Sequence, residues 1–492
     1  TNAIDGTGSW SHSNGLGLFS SSTDANTTFT TNTFNSSQNL TWTSNTGACS
    51  GSTAEVSAQF NQPNTSNITD LQASTSWLWG GLNNSEFNEA SNWYKWDGFK
   101  WLRESSSIPG TSDKIYVLSN NESGLCVSPS SNLTISSDVA SLFISEESSI
   151  NLNGDISISG DIVNNGSLIS TAGTLSINGV SNQQLSGSGT NSLYNIVLDK
   201  NTGDFILNAP LGIINNLNLN SGNIRNSDNI LTIGTSSTEQ GSITHNEGRI
   251  TGKLRRYFGG GNLDVLFPVG NNAFTRDITV NIQDNPGVNQ YLTIEYKEGY
   301  AQGLSGNLDN GLPLSTSDGQ QIDNVSGDGY WEISPTNNDY SSTINSKEYT
   351  VSIHANSISE VTDYSKTRII KSSGSNTPSE NHAIWSTTSH LSAIGNNNDY
   401  LLTAQSSGFS FFTIGGSGSN ALPVELISFS GTCNQGQNEL VWKTASEHNS
   451  SHFFIDWSRN GYDWESISQI PAAGFSNTNQ TYGINHTPTP GG

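Results

Sequence analysis

Three aspartates are the residues best suited to bind a metal ion. Asp318, Asp323 and Asp328 follow one another at intervals of five residues, and a glycine comes directly after the first and the last of them. Carboxylate oxygens are the ligands that calcium prefers. The spacing differs from that of the EF-hand loop. The sequence therefore offers these three residues as candidates for a structural calcium site, and it indicates no other cofactor.

Aromatic residues offer a second kind of chemistry, since flat rings stack on the apolar faces of sugars. Five tryptophans lie between positions 77 and 101, and Trp93, Trp96 and Trp101 are the ligand candidates among them. Large aromatic side chains are more often buried than exposed. We therefore favour the interpretation that these rings close the end of a neighbouring domain, and the exposure of the three tryptophans distinguishes the two possibilities.

Catalysis is not indicated. A glycoside hydrolase needs two carboxylates at a fixed separation, and the acidic residues between positions 131 and 233 recur at no common register. Turn residues in contact with solvent are their simplest interpretation. The sequence has no Gly-x-Ser-x-Gly motif and no zinc-protease helix motif. We predict no catalytic residue and no enzymatic activity. The alternative is a secreted carbohydrate-active enzyme or a carbohydrate-binding protein that uses the face of the solenoid.

Those acids lie in a stretch with a strong strand pattern. Residues 131–233 contain pairs of aliphatic residues spaced by two, which places both side chains on one face of an extended strand. Asn, Gly and Ser separate the pairs and favour turns. Such a pattern is typical of a β-solenoid, in which each coil buries its apolar row by stacking on its neighbours. The pairs are Leu133/Ile135, Leu142/Ile144, Ile150/Leu152, Ile156/Ile158, Leu175/Ile177, Ile196/Leu198, Leu217/Leu219 and Leu231/Ile233.

Composition limits the partners. The chain has 492 residues and a formal net charge of −24, so it repels nucleic acid. It has no apolar run of 18 residues, which argues against a membrane-spanning helix. The three cysteines, Cys49, Cys126 and Cys433, show no metal-binding spacing, and their redox state is open.

The strand and turn pattern predicts an all-β protein with tandem β-sandwich modules on both sides of the solenoid. We divide the chain into a partial immunoglobulin-like sandwich at 1–75, an aromatic cap with the solenoid at 76–255, a sandwich at 256–418 and a partial module at 419–492. The first and last modules have too few strands for a complete sandwich. We therefore expect a segment of a longer polypeptide, or a subunit whose open edges are filled by a neighbour.

Several short motifs resemble domains of secreted Bacteroidetes proteins. The segments around Gly8-Ser9-Trp10 and Leu40-Thr41-Trp42-Thr43 resemble the immunoglobulin-like or PKD-like repeats of large surface proteins. Trp79-Gly80 and Asn92-Trp93 resemble the start of a solenoid in such proteins. Residues 421–492, with Glu439-Leu440-Val441-Trp442, resemble a fibronectin-III-like module near the C-termini of type IX secretion cargo.

The resemblance implies a non-enzymatic extracellular protein on the outer cell surface, acting as an adhesin stalk or filament subunit. Its implied partners are other surface proteins or copies of itself, joined by strand exchange at the incomplete modules. Polysaccharide is a further possible partner. The sequence names no specific ligand.

Overall fold

The structure is a computed structural model of the chain. It describes residues 7–13, 17–24, 27, 29–31, 36–45, 51–60, 68, 70–80, 86–99, 101–119, 133–135, 137–152, 154–260, 263–299, 312–356, 358, 361, 363–372, 385–417, 425–434, 436–448, 452–458, 464–473, 475–476 and 478–487. Within these ranges the protein is all-β, as predicted, and contains no α-helix. Short 3₁₀ segments are Ala90–Asn92, Thr336–Asn338, Thr343–Ser346 and Tyr364–Lys366. Cys49 and Cys126 lie outside the described residues, and Cys433 is exposed and free.

The chain forms two compact units. Unit 1 comprises residues 1–233 and 241–248, and unit 2 comprises residues 234–240 and 249–492. Unit 1 begins with small antiparallel sheets, in which β4 lies between β1 and β5, and β2 pairs with β3. These strands are β1 (Gly8–His12), β2 (Gly17–Phe19), β3 (Phe29–Thr31), β4 (Ser36–Ser44) and β5 (Thr53–Phe60).

Three aromatic-rich strands come next, and they lie beside the first strand of the solenoid. β6 (Ser76–Trp79), β7 (Trp93–Trp96) and β8 (Trp101–Arg103) form an antiparallel ladder. β6 also pairs in parallel with β9 (Lys114–Val117), with Trp77 opposite Ile115.

The predicted β-solenoid is confirmed. All sixteen residues of the eight predicted aliphatic pairs lie in strands, and each is at most 3% exposed. The strands after β9 are β10 (Leu133–Ile135), β11 (Ser141–Ile144), β12 (Ser149–Leu152), β13 (Ile156–Ile158), β14 (Ile162–Asn164), β15 (Ser167–Ile169), β16 (Thr174–Ile177), β17 (Gln183–Ser186), β18 (Thr190–Asp199), β19 (Phe205–Leu207), β20 (Leu211–Ser221), β21 (Asn223–Ile233) and β22 (Ser242–His245).

Parallel pairing arranges these strands on three faces. The first face contains β9, β11, β14, β17, β19 and the start of β21. The second contains β10, β12 and β15, with the start of β18 and β20 and the end of β21. The third contains β13, β16, the end of β18 and β20, and β22. The outer side chains of each strand alternate with the buried aliphatic row.

The third face shows how the coils stack. Ile156, Leu175, Ile196 and Leu217 lie in register on successive coils, although 19 to 21 residues separate neighbours in the chain. Aliphatic side chains of similar size, isoleucine and leucine, therefore stack on one another along the interior. Full burial of one such aliphatic side chain contributes about 1.5–3 kcal/mol, so the repeated rows provide the main stabilisation of the solenoid.

Close coil contacts require glycine at one corner. A Cβ atom on Gly166 would lie 2.2 Å from the carbonyl oxygen of Ser148, and one on Gly189 would lie 2.3 Å from that of Gly166. These distances are shorter than any allowed van der Waals contact. The corner is therefore built from stacked glycines, which explains part of the glycine content of this stretch.

Among the described residues between 249 and 416, unit 2 contains two larger antiparallel sheets and the two-stranded sheet of β27 and β28. The first has the order β24-β25-β31-β35-β34. In the second, β26 pairs with β23 and β30, and β36 pairs with β29, β30 and β32. Tyr349 of the first sheet contacts Phe412 of the second, with ring centroids 6.4 Å apart. The strands are β23 (Arg249–Phe258), β24 (Asp264–Phe267), β25 (Ile278–Ile282), β26 (Gln290–Glu298), β27 (Leu314–Ser315), β28 (Gln321–Ile322), β29 (Asn324–Val325), β30 (Gly329–Pro335), β31 (Glu348–Asn356), β32 (Arg368–Ser372), β33 (Trp385–Thr387), β34 (Ser389–Asn396), β35 (Asp399–Ser407) and β36 (Phe411–Gly416).

The described residues of the C-terminal part of unit 2 form six further strands. β38 pairs with β37, β41 and β42, and β39 pairs with β40. Trp442 is buried between Phe453 and Tyr482, whose ring centroids each lie 5.6 Å from its own. The strands are β37 (Glu425–Asn434), β38 (Gln437–His448), β39 (His452–Trp457), β40 (Glu465–Pro471), β41 (Phe475–Ser476) and β42 (Gln480–His486).

Candidate functional site

The outer surface of the solenoid is the part of the chain that could carry a function, and asparagine is prominent on it. Asn246 donates a hydrogen bond to Asn220 (3.0 Å), and Asn220 donates one to Asp199 on the next coil (2.9 Å). In a second row, Asn215 donates to Asn195 (2.8 Å). These side chains join neighbouring coils, so they serve the stacking of the solenoid.

Acidic residues of the solenoid have a similar task. Asp138 accepts a hydrogen bond from the backbone amide of Ser157, and Asp161 accepts one from that of Gln184 (2.7 and 2.8 Å). Asp204 forms an ion pair with Arg225 (2.6 Å). Each partner lies 19 to 23 residues further along the chain, which is one coil. These three acids therefore contact the next coil. We had predicted instead that they are turn residues whose side chains contact only solvent.

One cation is buried within the coils. Lys200 is 2% exposed, and its ammonium group donates hydrogen bonds to the carbonyl oxygens of Gly179 and Ser181 and to Oε1 of Gln183. The last two distances are 2.7 and 2.9 Å. Burial lowers the pKa of Lys200, and the Asp204 carboxylate acts against this shift. The three acceptors bind the ammonium in place of water.

A groove of about 400 Å³ lies on the first face of the solenoid. Phe143 and Val163, which are partly buried, stand side by side on neighbouring strands along its floor. Lys114 and Asp70 lie at one end. The polar rim consists of Ser159, Asp161, Ser181 and Asn182 from the corners of the coils.

A fixed pair of charges closes one end of this groove. Asp70 binds Lys114 Nζ at 2.5 Å through one oxygen and the Tyr116 hydroxyl at 2.9 Å through the other. Burial acts to raise the pKa of Asp70, but these hydrogen bonds outweigh it and leave the pKa lowered. Burial and the carboxylate raise the pKa of Tyr116. Asp70 is therefore ionised and fully paired.

The candidate tryptophans are mostly enclosed by protein. Trp93 and Trp101 are 0% exposed, and Trp93 donates a hydrogen bond to the carbonyl oxygen of Phe87 (2.8 Å). Trp96 is partly buried and lies 5.2 Å from Trp101 between ring centroids. The sugar-stacking alternative is therefore wrong for Trp93 and Trp101, because their rings pack inside the aromatic layer beside the first coil.

No protein-family model, curated protein or solved structure matches this chain. The functional conclusions below therefore depend on side-chain geometry. No helix among the described residues is long and apolar enough to cross a bilayer.

The three calcium candidates do not form one site. Within the described residues, no three His, Cys, Asp or Glu side chains come together as a possible metal site. Asp318 binds Arg368 at 2.6 and 3.0 Å, which lowers its pKa to about 2. Asp328 binds the buried Arg276 at 2.8 Å. Asp323 is partly buried, and its backbone amide donates to the carbonyl oxygen of Gly416. Asp318 and Asp328 thus neutralise arginines, a role that the spacing of the aspartates did not reveal.

Sequence reasoning found some strands that line the groove but missed the groove itself. Lys114 and Tyr116 precede the recognised ladder, and Asp70 lies 44 residues before Lys114. The available signal was alternation. Lys114 and Tyr116 on one strand, and Ser141 and Phe143 on another, alternate with buried aliphatic residues, which marks them as outward positions. The alternation does not reveal that the two strands are neighbours.

Proposed function

We propose that the chain is a non-enzymatic structural protein of the outer cell surface, acting as an adhesin stalk or filament subunit. The observation that supports this most is the use of polar side chains on the solenoid. Asn220, Asn246, Asp138 and Asp161 all bind the neighbouring coil. These hydrogen bonds hold neighbouring coils together, which is a structural role, and we propose no catalytic role for the same side chains.

Export through the type IX route belongs to the same proposal. It rests on the resemblance of residues 421–492 to cargo modules of that route. The proposed partners are other surface proteins or further copies of this chain. In support, β37 lies at the edge of its sheet among the described residues, and its side chains Leu426, Ile427 and Phe429 are 54%, 49% and 57% exposed. An apolar strand at a sheet edge can pair with a further strand.

The carbohydrate-active enzyme is the rival function. The groove contains Asp70 and Asp161, and a hydrolase needs one carboxylic acid that keeps its proton near neutral pH. Asp70 has a lowered pKa and both of its oxygens are hydrogen-bonded. This environment is unsuitable for a general acid, and it favours the structural proposal.

Protease treatment of intact source cells tests the proposed location. We expect added proteinase K to remove the protein, detected by an antibody against the chain, while a cytoplasmic marker in the same cells survives. A strain without the type IX translocon should protect the protein until the cells are lysed. Full protection in wild-type cells would contradict the proposal, and so would cleavage that is independent of the translocon.

A further inference from the structure

We propose that the groove on the first face of the solenoid binds a neutral oligosaccharide, a task beyond the structural role proposed above. Its volume of about 400 Å³ is within the range of small-molecule sites. The floor combines the ring of Phe143 with Val163, and the rim is polar. A sugar ring has the matching chemistry, because its C–H face is apolar and its edge carries hydroxyl groups.

The aromatic ring of the floor is held in place by its neighbours on one side. Phe143 contacts Tyr116, with ring centroids 5.8 Å apart, and packs against the buried cluster that includes Trp101 and Leu118. The hydroxyl group of Tyr116 is fixed by Asp70. A ring supported in this way loses little conformational freedom when a ligand binds, which favours affinity.

The rim provides acceptors for sugar hydroxyl groups. Asp161 is exposed, and one of its oxygens accepts the amide of Gln184. Its second oxygen has no hydrogen-bond donor among the residues that the structure describes. A carboxylate oxygen forms stronger hydrogen bonds with hydroxyl groups than a neutral acceptor does. Ser159, Ser181 and Asn182 lie along the same rim.

Charge selects a neutral ligand. Lys114 is the only cation that lines the groove among the described residues, and Asp70 already neutralises it. The exposed carboxylate of Asp161 and the net charge of −24 repel an anionic sugar. The site is therefore unsuitable for uronates or sulfated chains and suits uncharged hexose or pentose units.

Isothermal titration calorimetry on the full chain tests the proposal. The neutral probes are cellohexaose, xylohexaose, mannohexaose, laminarihexaose and chitohexaose, and hexagalacturonate is the anionic control. We expect saturable binding of at least one neutral probe and none of the anionic one. Absence of binding for all neutral probes at millimolar concentration would overturn the proposal, and so would preferential binding of hexagalacturonate.

Variants locate the binding. For the neutral probe that binds, we expect Phe143→Ala and Phe143→Leu to weaken affinity about five- to tenfold, because both remove the ring. Asp161→Asn should weaken it about tenfold. The matched controls are Tyr194→Ala and Asp155→Asn, on the same solenoid but outside the groove lining, and they should leave affinity unchanged. Unchanged affinity in all three groove variants, with wild-type thermal stability, would refute the assignment.

The outcome is independent of the structural proposal. If no sugar binds, the result leaves the surface location untouched, because protease treatment measures that separately. Chromatography of the probe after the titration should recover it intact. Release of shorter oligosaccharides would instead contradict the non-enzymatic function.

Discussion

Replacing Lys200 by methionine is expected to lower the free energy of opening of the surrounding coils by about 3–5 kcal/mol. The variant keeps most of the apolar stem but removes the ammonium group from three oxygen acceptors, those of Gly179, Ser181 and Gln183. An acceptor that loses its only donor costs about 1–3 kcal/mol. The carbonyl oxygens of Gly179 and Ser181 lose the ammonium, whereas Oε1 of Gln183 keeps the backbone amide of Gly179 at 2.7 Å. Native-state hydrogen exchange of amides between residues 174 and 221 measures this free energy within a multidomain chain.

A control for Lys200 exists on the same coil. Gln184→Met places the same side chain at an exposed position and removes one hydrogen bond from Asn208. We expect a loss of less than about 1 kcal/mol there. If Lys200→Met and Gln184→Met had equal effects, the buried ammonium would have no special role in joining the coils.

Truncating Leu198 to alanine is expected to destabilise the same coils by about 2–5 kcal/mol. Leu198 is 0% exposed and lies between Ile177 and Leu219 in one interior row. The substitution removes buried apolar surface and leaves a cavity, because neighbouring coils are fixed by their backbone hydrogen bonds. The same exchange experiment measures the change.

The adjacent residue is the matched control for Leu198. Val197 is partly buried and points outward, next to Ser176 and Asn218 on the neighbouring coils. Val197→Ala should cost less than about 1 kcal/mol, since little apolar surface is lost. A reversed order, with Val197 more sensitive than Leu198, would show that the interior row is assigned to the wrong face.

The solenoid interior was predictable because its signal is local. Leu175/Ile177 and Ile196/Leu198 each occupy two positions of one strand, so alternation alone places them on one face. Their mutual contact follows from stacking, which any repeated coil requires. The same local signal is present in unit 2, where β31 and β35 alternate between buried and less buried positions along most of their length.

The groove and the buried lysine could not be predicted in this way. Asp70 contacts Lys114 across 44 residues, and Lys200 contacts Gly179 across 21. Lysine is ordinarily exposed, and nothing near Lys200 in the sequence marks it as buried. The ion pairs of Asp318 and Asp328 likewise join residues about 50 positions apart. Such contacts depend on which coils or sheets become neighbours, and a local pattern does not contain that information.

The stacking of coils, on which the proposed function depends, has a direct test in distance measurements on the third face. Ser157, Ser176, Val197, Asn218 and Thr244 lie in one outward row on five successive coils. Nitroxide labels at positions 157 and 218, and at 157 and 244, would be compared by electron paramagnetic resonance after the three native cysteines are replaced by serine.

Parallel strands in a stack are about 4.8 Å apart, so the backbones of the two labelled pairs should be separated by about 14 and about 19 Å. The difference of one coil step is expected even though positions 218 and 244 are 26 positions apart in the chain. If the distance for positions 157 and 244 exceeds that for 157 and 218 by about one coil step, the result would agree with a protein built from stacked coils. Broad distributions, or separations that bear no relation to the coil number, would contradict it.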